Sequence, residues 1–221
     1  MVTENGIQAI IFDLDGLMIN SESLAVDVWR DFLGEYGKEL TPADHQKLIG
    51  AESLPSAQFV KQRTGIELNA EEILEQFWRR LTIVIAKKGE PMAGLHALIR
   101  ALQARGLSLA VASNSRHDYV KSALVSIGLG EMFRCVFSAD QVAKGKPAPD
   151  VYLAAAACLN ILPNRCLALE DSPIGLRSAL DAGMRCVVVP NQDLDVEEFT
   201  GAYATFSSLV LLREDLDTIL Q

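Results

Sequence analysis

The sequence predicts an α/β protein: a doubly wound parallel sheet, Rossmann-like in outline, carrying an inserted α-helical lobe. Three observations lead there. Short runs that are apolar at every position, rather than at every second one, recur along the chain, as strands buried on both faces require. Segments with apolar residues at helical spacing, several closed by glycine, alternate with these runs. Between residues 21 and 89 the alternation stops, and only helical patterns are found.

The first run, Gln-Ala-Ile-Ile-Phe-Asp at 8–13, ends abruptly in Asp-Leu-Asp-Gly, a buried strand followed by a turn. In the helical stretch, Leu24, Val28 and Phe32 stand at i, i+4 and i+8, and Pro55 can open a further helix. Asn69 with Glu71 and Glu72 supplies a capping residue and an acidic first turn before Ile73, Leu74, Phe77, Trp78, Leu81 and Ile85. Beyond the lobe, Leu95, Leu98, Ile99 and Leu102 share a helix face stopped by Gly106. The run at 107–112 follows and ends in Ser-Asn-Ser. Val120, Ala123, Leu124 and Ile127 form another helix, stopped by Gly128. The run at 166–169 ends in Glu-Asp-Ser, residues 174–182 give a helix closed by Gly183, and the run at 186–189 ends in Pro190. The lobe leaves after the first strand and returns before the second. A sheet domain of residues 1–17 and 92–221 with a lobe of residues 18–91 is therefore expected, joined by crossings near 17–21 and 89–93 that can act as a hinge.

Composition narrows the function. Lys and Arg number 20 against 29 Asp and Glu, a formal charge of −9, with no local basic stripe, which argues against a duplex-coating role. No stretch of 18 apolar residues occurs, and Met-Val-Thr-Glu-Asn-Gly at the start lacks the basic region of a secretory leader. The four cysteines, at 135, 158, 166 and 186, show no metal-ligand or Cys-x-x-Cys spacing and sit among apolar neighbours. They are expected to be small buried hydrophobes in a reducing compartment, and the protein to be soluble, cytoplasmic and by default monomeric, with small solutes and ions as partners.

In an open parallel sheet, ligands bind beyond the carboxyl ends of the strands. Asp13 and Asp15 follow the first strand, Ser113 and Asn114 the second, and Glu170 and Asp171 a later one, while Lys146 lies in the loop Lys-Gly-Lys-Pro-Ala-Pro-Asp at 144–150. Carboxylates crowded in one pocket repel each other, so a hard divalent cation with oxygen ligands, Mg²⁺ above all, is the natural neutraliser. A phosphate beside them needs positive charge and donors, which Lys146 and the Ser113 hydroxyl can supply. Two aspartates at i and i+2 can divide the labour, one attacking phosphorus and one handling protons at the leaving oxygen, which implies an aspartyl-phosphate. Gly16 lets the backbone turn between them.

Asp13-Leu-Asp15-Gly16, Ser113 after an apolar strand, Lys146-Pro-Ala-Pro-Asp150 and Glu170-Asp171-Ser-x-x-Gly175 resemble, in order and spacing, the four motifs of the haloacid dehalogenase superfamily. The helical insertion after the first motif resembles the cap of its β-phosphoglucomutase and phosphoglycolate phosphatase subgroup. The resemblance implies that Asp13 is the nucleophile and Asp15 the general acid and base. It implies that Ser113, assisted by Asn114, holds the transferring phosphoryl group, and that Lys146 bridges that group and Asp13. It implies Mg²⁺ bound by Asp13, the backbone carbonyl of Asp15 and Asp171, with Glu170 beside it or as a further ligand. Dehalogenases of this superfamily lack a counterpart of Asp15. The mutase pattern usually carries a His where this chain has Ala25 and an Asp where it has Asn20, and the segment Leu48-Ile-Gly-Ala-Glu-Ser53 has no Arg to hold a second phosphate.

Taken singly, each motif is also an ordinary turn or helix start; the set in order points to catalysis. His45, His96 and His117 lie in no motif and are expected at helix surfaces or helix starts. Trp29, Phe77 and Trp78 are expected as lobe core, with residues near 50–56 and 79–80 choosing the leaving group. The expected activity is Mg²⁺-dependent hydrolysis of a small phosphorylated metabolite, a sugar or polyol phosphate in the first place. A phosphomutase is the alternative of the same class, and a receiver-like or silent phosphate-binding module the alternative of another.

Overall fold

A computed structural model of the chain describes residues 6–48, 53–190 and 196–221. The chain opens with β1 (Ala9–Phe12), buried at all four positions, and passes into four helices: α1 (Glu22–Gly34), α2 (Pro42–Gln46), α3 (Ser53–Thr64) and α4 (Ala70–Lys88). It returns through α5 (Leu95–Ala104) to β2 (Ser108–Ser113), α6 (His117–Ser126) and β3 (Cys135–Ser138). Then follow α7 (Asp150–Leu159), β4 (Cys166–Glu170), α8 (Pro173–Asp181) and β5 (Arg185–Val188), and finally β6 (Ala204–Thr205), α9 (Leu209–Glu214) and α10 (Leu216–Ile219).

The six strands form one sheet in the order β3-β2-β1-β4-β5-β6, parallel throughout. Side chains alternate across it. Ile10 and Phe12 pack with α5, α6, α9 and α10 on one face, while Ala9 and Ile11 pack with α7 and α8 on the other, so both faces are covered as the apolar runs require. Phe12 is level with Val111 of β2 and Leu169 of β4. That register brings Asp13, Ser113 and Glu170, all at strand ends, to one edge of the sheet.

The segments on either side of the helical stretch pair with each other: the Asn20 amide donates to Glu90 O (3.3 Å) and the Met92 amide to Met18 O (2.9 Å). The helices between them share an apolar centre that includes Phe32, Ala57, Val60, Ile73 and Ile85, all fully buried. Asn69 caps α4 as its sequence predicts, accepting from the Glu72 amide while the Glu72 carboxylate accepts from the Asn69 amide, both at 2.8 Å. Pro55 stands in the first turn of α3 instead of opening it, since the helix begins at Ser53.

Several elements had no sequence signal. β3 and β6 are short edge-side strands, and α7 is rich in alanine, so its apolar periodicity is faint. The cysteine expectation needs a correction. Cys135 of β3 and Cys158 of α7 are joined in a disulfide with Cα atoms 5.9 Å apart, a separation ordinary for such bridges. Cys166 and Cys186 are free and buried, as expected. The pairing joins neighbours in space that lie 23 residues apart with no spacing motif to announce it, and the inference of a reducing compartment loses that half of its support. No helix among the described residues is long and apolar enough to cross a membrane.

Within the lobe, Asp44 links two helices. Its Oδ2 accepts from the Thr41 hydroxyl (2.7 Å) and amide (3.0 Å), closing the cap of α2, and its carboxylate also accepts from Arg63 Nε of α3 at 3.0 Å. The Thr41 hydroxyl, with Arg63 and the Thr41 amide behind it and against the opposing effect of burial, lowers the Asp44 pKa from 3.8 to about 2. A carboxyl depressed by folding adds stability above its unfolded pKa and loses it as pH falls through its folded one. Asp44→Asn should therefore be less stable than the parent at neutral pH, with the difference closing between pH 3.8 and about 2. Denaturant melts across that window check it; parallel curves for the two proteins would show that this carboxylate contributes nothing.

Candidate active site

The carboxyl edge of the sheet gathers the predicted residues. Asp13 follows β1, with its amide donating to Leu169 O at 2.9 Å, and the chain then turns at Gly16, whose φ is +79°. A Cβ at Gly16 would stand 1.9 Å from Asp171 Oδ2, so glycine both permits the turn and leaves the space that Asp171 occupies. Gly175 does the same for Glu170: a Cβ there would lie 2.0 Å from both carboxylate oxygens. Ser172 caps α8 by accepting from the Gly175 amide at 3.1 Å, with Pro173 in the first turn, which fixes the chain just beyond the acidic pair.

Lys146 is the centre of the cluster. Its ammonium donates to Asp13 Oδ1 (2.5 Å) and Glu170 Oε1 (2.6 Å), and all three side chains are buried. Burial alone would lower the lysine pKa, but Asp13 and Glu170 outweigh it and raise it above its ordinary value. Burial first, then the neighbouring carboxylates Glu170 and Asp15 against the relief from Lys146, raises Asp13 well above 3.8. Asp171 is raised likewise, by burial and then by Asp13 and Glu170. One ammonium thus faces an excess of negative charge.

Carboxylate oxygens of Asp13, Glu170 and Asp171 come within 4.8 Å of one another, a buried all-oxygen group of the kind that suits a hard divalent cation. Glu170 differs from the other two. Its Oε1 accepts from Lys146 and from the Tyr152 hydroxyl (2.6 Å), and its Oε2 from the Asp171 amide (3.2 Å) and the Ser172 hydroxyl (3.3 Å). Both its oxygens are thus already engaged by the chain.

Asp15 is held by both oxygens. Tyr119 donates to Oδ1 (2.6 Å), and Ser115 to Oδ2 (2.6 Å), with the Ser113 hydroxyl farther off at 3.5 Å. Ser113 accepts in turn from the Ser115 amide. The Asn114 amide group is spent on the backbone of Lys146, accepting from its N–H (2.6 Å) and donating to its C=O (2.9 Å), so Asn114 acts on the site through the lysine loop. Sequence reasoning missed Ser115, Tyr119 and Tyr152. Ser115 was legible in Ser-Asn-Ser, but the tyrosines stand inside helices with nothing local to set them apart from core.

Above this floor lies a cavity of about 440 Å³, lined by Asp13, Asp15, Lys146 and Asp171 below and by α1 and α4 above. Trp29, Phe77 and Trp78 are lobe core, as expected, and also form its wall. Trp78 further packs edge-on against Tyr119, centroids 5.2 Å apart. Arg80, expected near the leaving group, instead holds Glu35 through two 2.8 Å bonds over the Phe32 ring. His117 sits at the start of α6 with Nδ1 beside Ser138, as expected, while His45 lines the cavity. Of the segment expected to choose the leaving group, residues 50–52 lie outside the described residues, and Ser56 lines the cavity.

Residues 10–189 match the model of the haloacid dehalogenase-like hydrolases. YhcW of Bacillus subtilis, a candidate phosphatase, is 36% identical over 191 residues, covering 84% of each chain. (DL)-glycerol-3-phosphatase 2 of Arabidopsis thaliana is 30% identical over 209 residues, covering 91% of this chain and 87% of its own. The crystal structure of CbbY from Rhodobacter sphaeroides with phosphate superposes with a TM-score of 0.84 at 29% identity, covering 93% of this chain and 96% of the other.

Gly175→Ala should push the Glu170 carboxylate out of place and with it the lysine and Asp171. Loss of such a supporting contact weakens metal binding by roughly 10- to 100-fold. Tyr152→Phe, which adds no bulk, should weaken it in the same direction by less. Calorimetric titration of Mg²⁺ measures both, and parental affinity in both variants would free Glu170 from this role.

Proposed function

Because this chain belongs to the haloacid dehalogenase-like hydrolase family, we propose that it hydrolyses the monophosphate ester of a small metabolite, with Mg²⁺ and through an aspartyl-phosphate at Asp13. Phosphoric monoester hydrolysis is its class of reaction, as it is for the named relatives. The observation that carries the finer reading is the buried Lys146 ammonium bonded to both Asp13 and Glu170, with Asp171 alongside. A glycerol phosphatase among the relatives supports a sugar or polyol phosphate as substrate. The lobe, residues 18–91, would cover the sheet domain formed by residues 1–17 and 92–221, and the protein would act as a monomer.

Mg²⁺ would be held by Asp13, the Asp15 carbonyl and Asp171, with Glu170 supporting them, and would supply charge neutralisation for the phosphoryl oxygens. Asp13 attacks phosphorus with a carboxylate oxygen, and the P–O bond to the leaving group breaks. Asp15 gives its proton to the departing oxygen and then takes one from the water that attacks the phosphorylated Asp13, releasing phosphate and restoring the free carboxylate. Lys146 stays between Asp13 and the phosphoryl group, the Ser113 hydroxyl donates to a phosphoryl oxygen, and Asn114 keeps the lysine loop in register. Tyr119 and Ser115 hold Asp15 by both oxygens. The apolar cover keeps bulk water from the phosphorylated aspartate.

Phosphate release from a panel of phosphorylated sugars, polyols, acids and nucleotides, with Mg²⁺ and with EDTA, tests the proposal. Metal-dependent release from a few related esters is expected. Asp13→Asn should cost about 10⁴-fold or more in kcat, and Asp15→Asn about 10²- to 10⁴-fold, both with parental circular dichroism. Undiminished release in EDTA, or by Asp13→Asn, would sink the mechanism.

A further inference from the structure

The cavity over the acidic cluster has two unlike halves. Its floor is charged and its roof is mostly apolar: Val26, Trp29, Leu74, Phe77, Trp78 and Leu81, from α1 and α4, make up most of the wall. Trp29 and Phe77 are stacked on each other, centroids 4.2 Å apart and planes 14° from parallel, and both rings line the cavity, so part of that wall is aromatic. Polar groups are few on this side, with Ser21, Glu22, His45 and Ser56 among them. A leaving group hydroxylated on every carbon would bury several hydroxyls against carbon, and each such hydroxyl without a partner costs binding energy. A planar aromatic ring meets that wall with its apolar face and keeps its polar atoms at the edge, so it buries fewer unpaired groups against carbon.

Charge selects as firmly as polarity. Among the described residues, Lys146 is the only Lys or Arg that lines the cavity, and Asp13 and Glu170 already hold it. Residues 1–5, 49–52 and 191–195, outside the description, contain no Lys, Arg or His in sequence. Burial first, and then the positive charge of Arg30, lowers the His45 pKa against the pull of Asp44, so the charged form of its ring is disfavoured. Asp15, Glu22, Asp171 and Glu198 also line the space. A second phosphate or a carboxylate on the substrate would enter a field of its own sign with no cation to receive it.

We propose that the substrate is a monophosphate whose leaving group carries an uncharged planar ring and no second anionic group: a ring-bearing sugar or polyol phosphate in preference to a bare polyol phosphate or a bisphosphate. The phosphate occupies the floor and the ring the Trp29–Phe77 wall. The inference rests on the phosphatase reading for the chemistry and on the cavity lining alone for the selectivity. It also leaves isomerisation between two phosphate positions without a site for the second phosphate.

Pairs of esters that differ only in the ring test it. Adenosine and uridine 5′-monophosphate are compared with ribose 5-phosphate, and ribose 1,5-bisphosphate serves as the doubly charged probe. Ring-bearing esters should exceed ribose 5-phosphate at least roughly tenfold in kcat/KM, and the bisphosphate should be poorest. Binding is read separately, because both tryptophans of the chain line the cavity. In Asp13→Asn, ring-bearing esters should quench tryptophan fluorescence saturably at concentrations where ribose 5-phosphate does not. Leu74→Arg, which brings a cation to the wall, should narrow the gap between the bisphosphate and the monophosphates. Equal or reversed preference in both readouts overturns the proposal. Ring-selective quenching without any hydrolysis would sink the phosphatase reading and keep the cavity assignment; hydrolysis with no ring preference would do the opposite.

Discussion

A buried ammonium shared between two carboxylates is the constraint on which the carboxyl edge of the sheet depends. Lys146, Asp13 and Glu170 come from three separate segments, and none of the three charges is tolerable inside the protein without the others. Taking away one member of such a group typically costs about 3–5 kcal/mol, a large share of a domain's stability. The surrounding residues serve this contact. Asn114 clamps the backbone of Lys146 on both sides, Tyr152 shares Glu170 Oε1, and two glycines leave room where any side chain would displace a carboxylate. The parallel register does the rest, since it sets the ends of β1, β2 and β4 level.

Such an assembly is stable as a fold and incomplete as a charge balance. Asp13 and Asp171 are both pushed well above the ordinary carboxyl range, first by burial and then by neighbouring carboxylates, Glu170 and Asp15 at Asp13 and Asp13 and Glu170 at Asp171, even with the lysine present. A site in that condition favours whatever brings positive charge on oxygen-seeking terms, and then whatever anion that charge can hold. In the proposed function, affinity for a metal and a phosphate would follow from this local electrostatic imbalance.

Much of this was legible in the sequence, for identifiable reasons. Strands β1, β2, β4 and β5 could be read because burial on both faces leaves apolar runs, and α4 because Asn69 and Glu72 cap it reciprocally. Asp13, Asp15, Ser113 and Asp171 could be read as candidates because they stand at or just past strand ends, and Lys146 because it lies in the polar loop before α7. Tyr119 and Tyr152 could not. Their hydroxyls reach Asp15 and Glu170 across 104 and 18 residues of chain, while their rings are as buried as any core side chain. The Cys135–Cys158 bridge was hidden for the same reason, as was the double part played by Trp29, Phe77 and Trp78, which belong at once to the lobe's core and to a cavity wall. Periodicity reports that a side chain is inside; it says nothing of what lies on its other side.

The contact of Trp78 with Tyr119 joins the roof to the chemistry, because the hydroxyl of that tyrosine ends on Asp15. The two sides of the cavity are for that reason unequal as material for evolutionary change. On α1, Ala25 and Val26 face the cavity and make none of the hydrogen bonds that hold Asp13, Asp15 or Lys146, so a lineage can alter them and sample new leaving groups while keeping its rate. At Trp78 of α4 any change in shape is transmitted within two side chains to Asp15, the residue proposed to handle the proton. Drift in substrate range should therefore accumulate along α1, with Trp78 held still by a requirement that has nothing to do with which substrate is chosen.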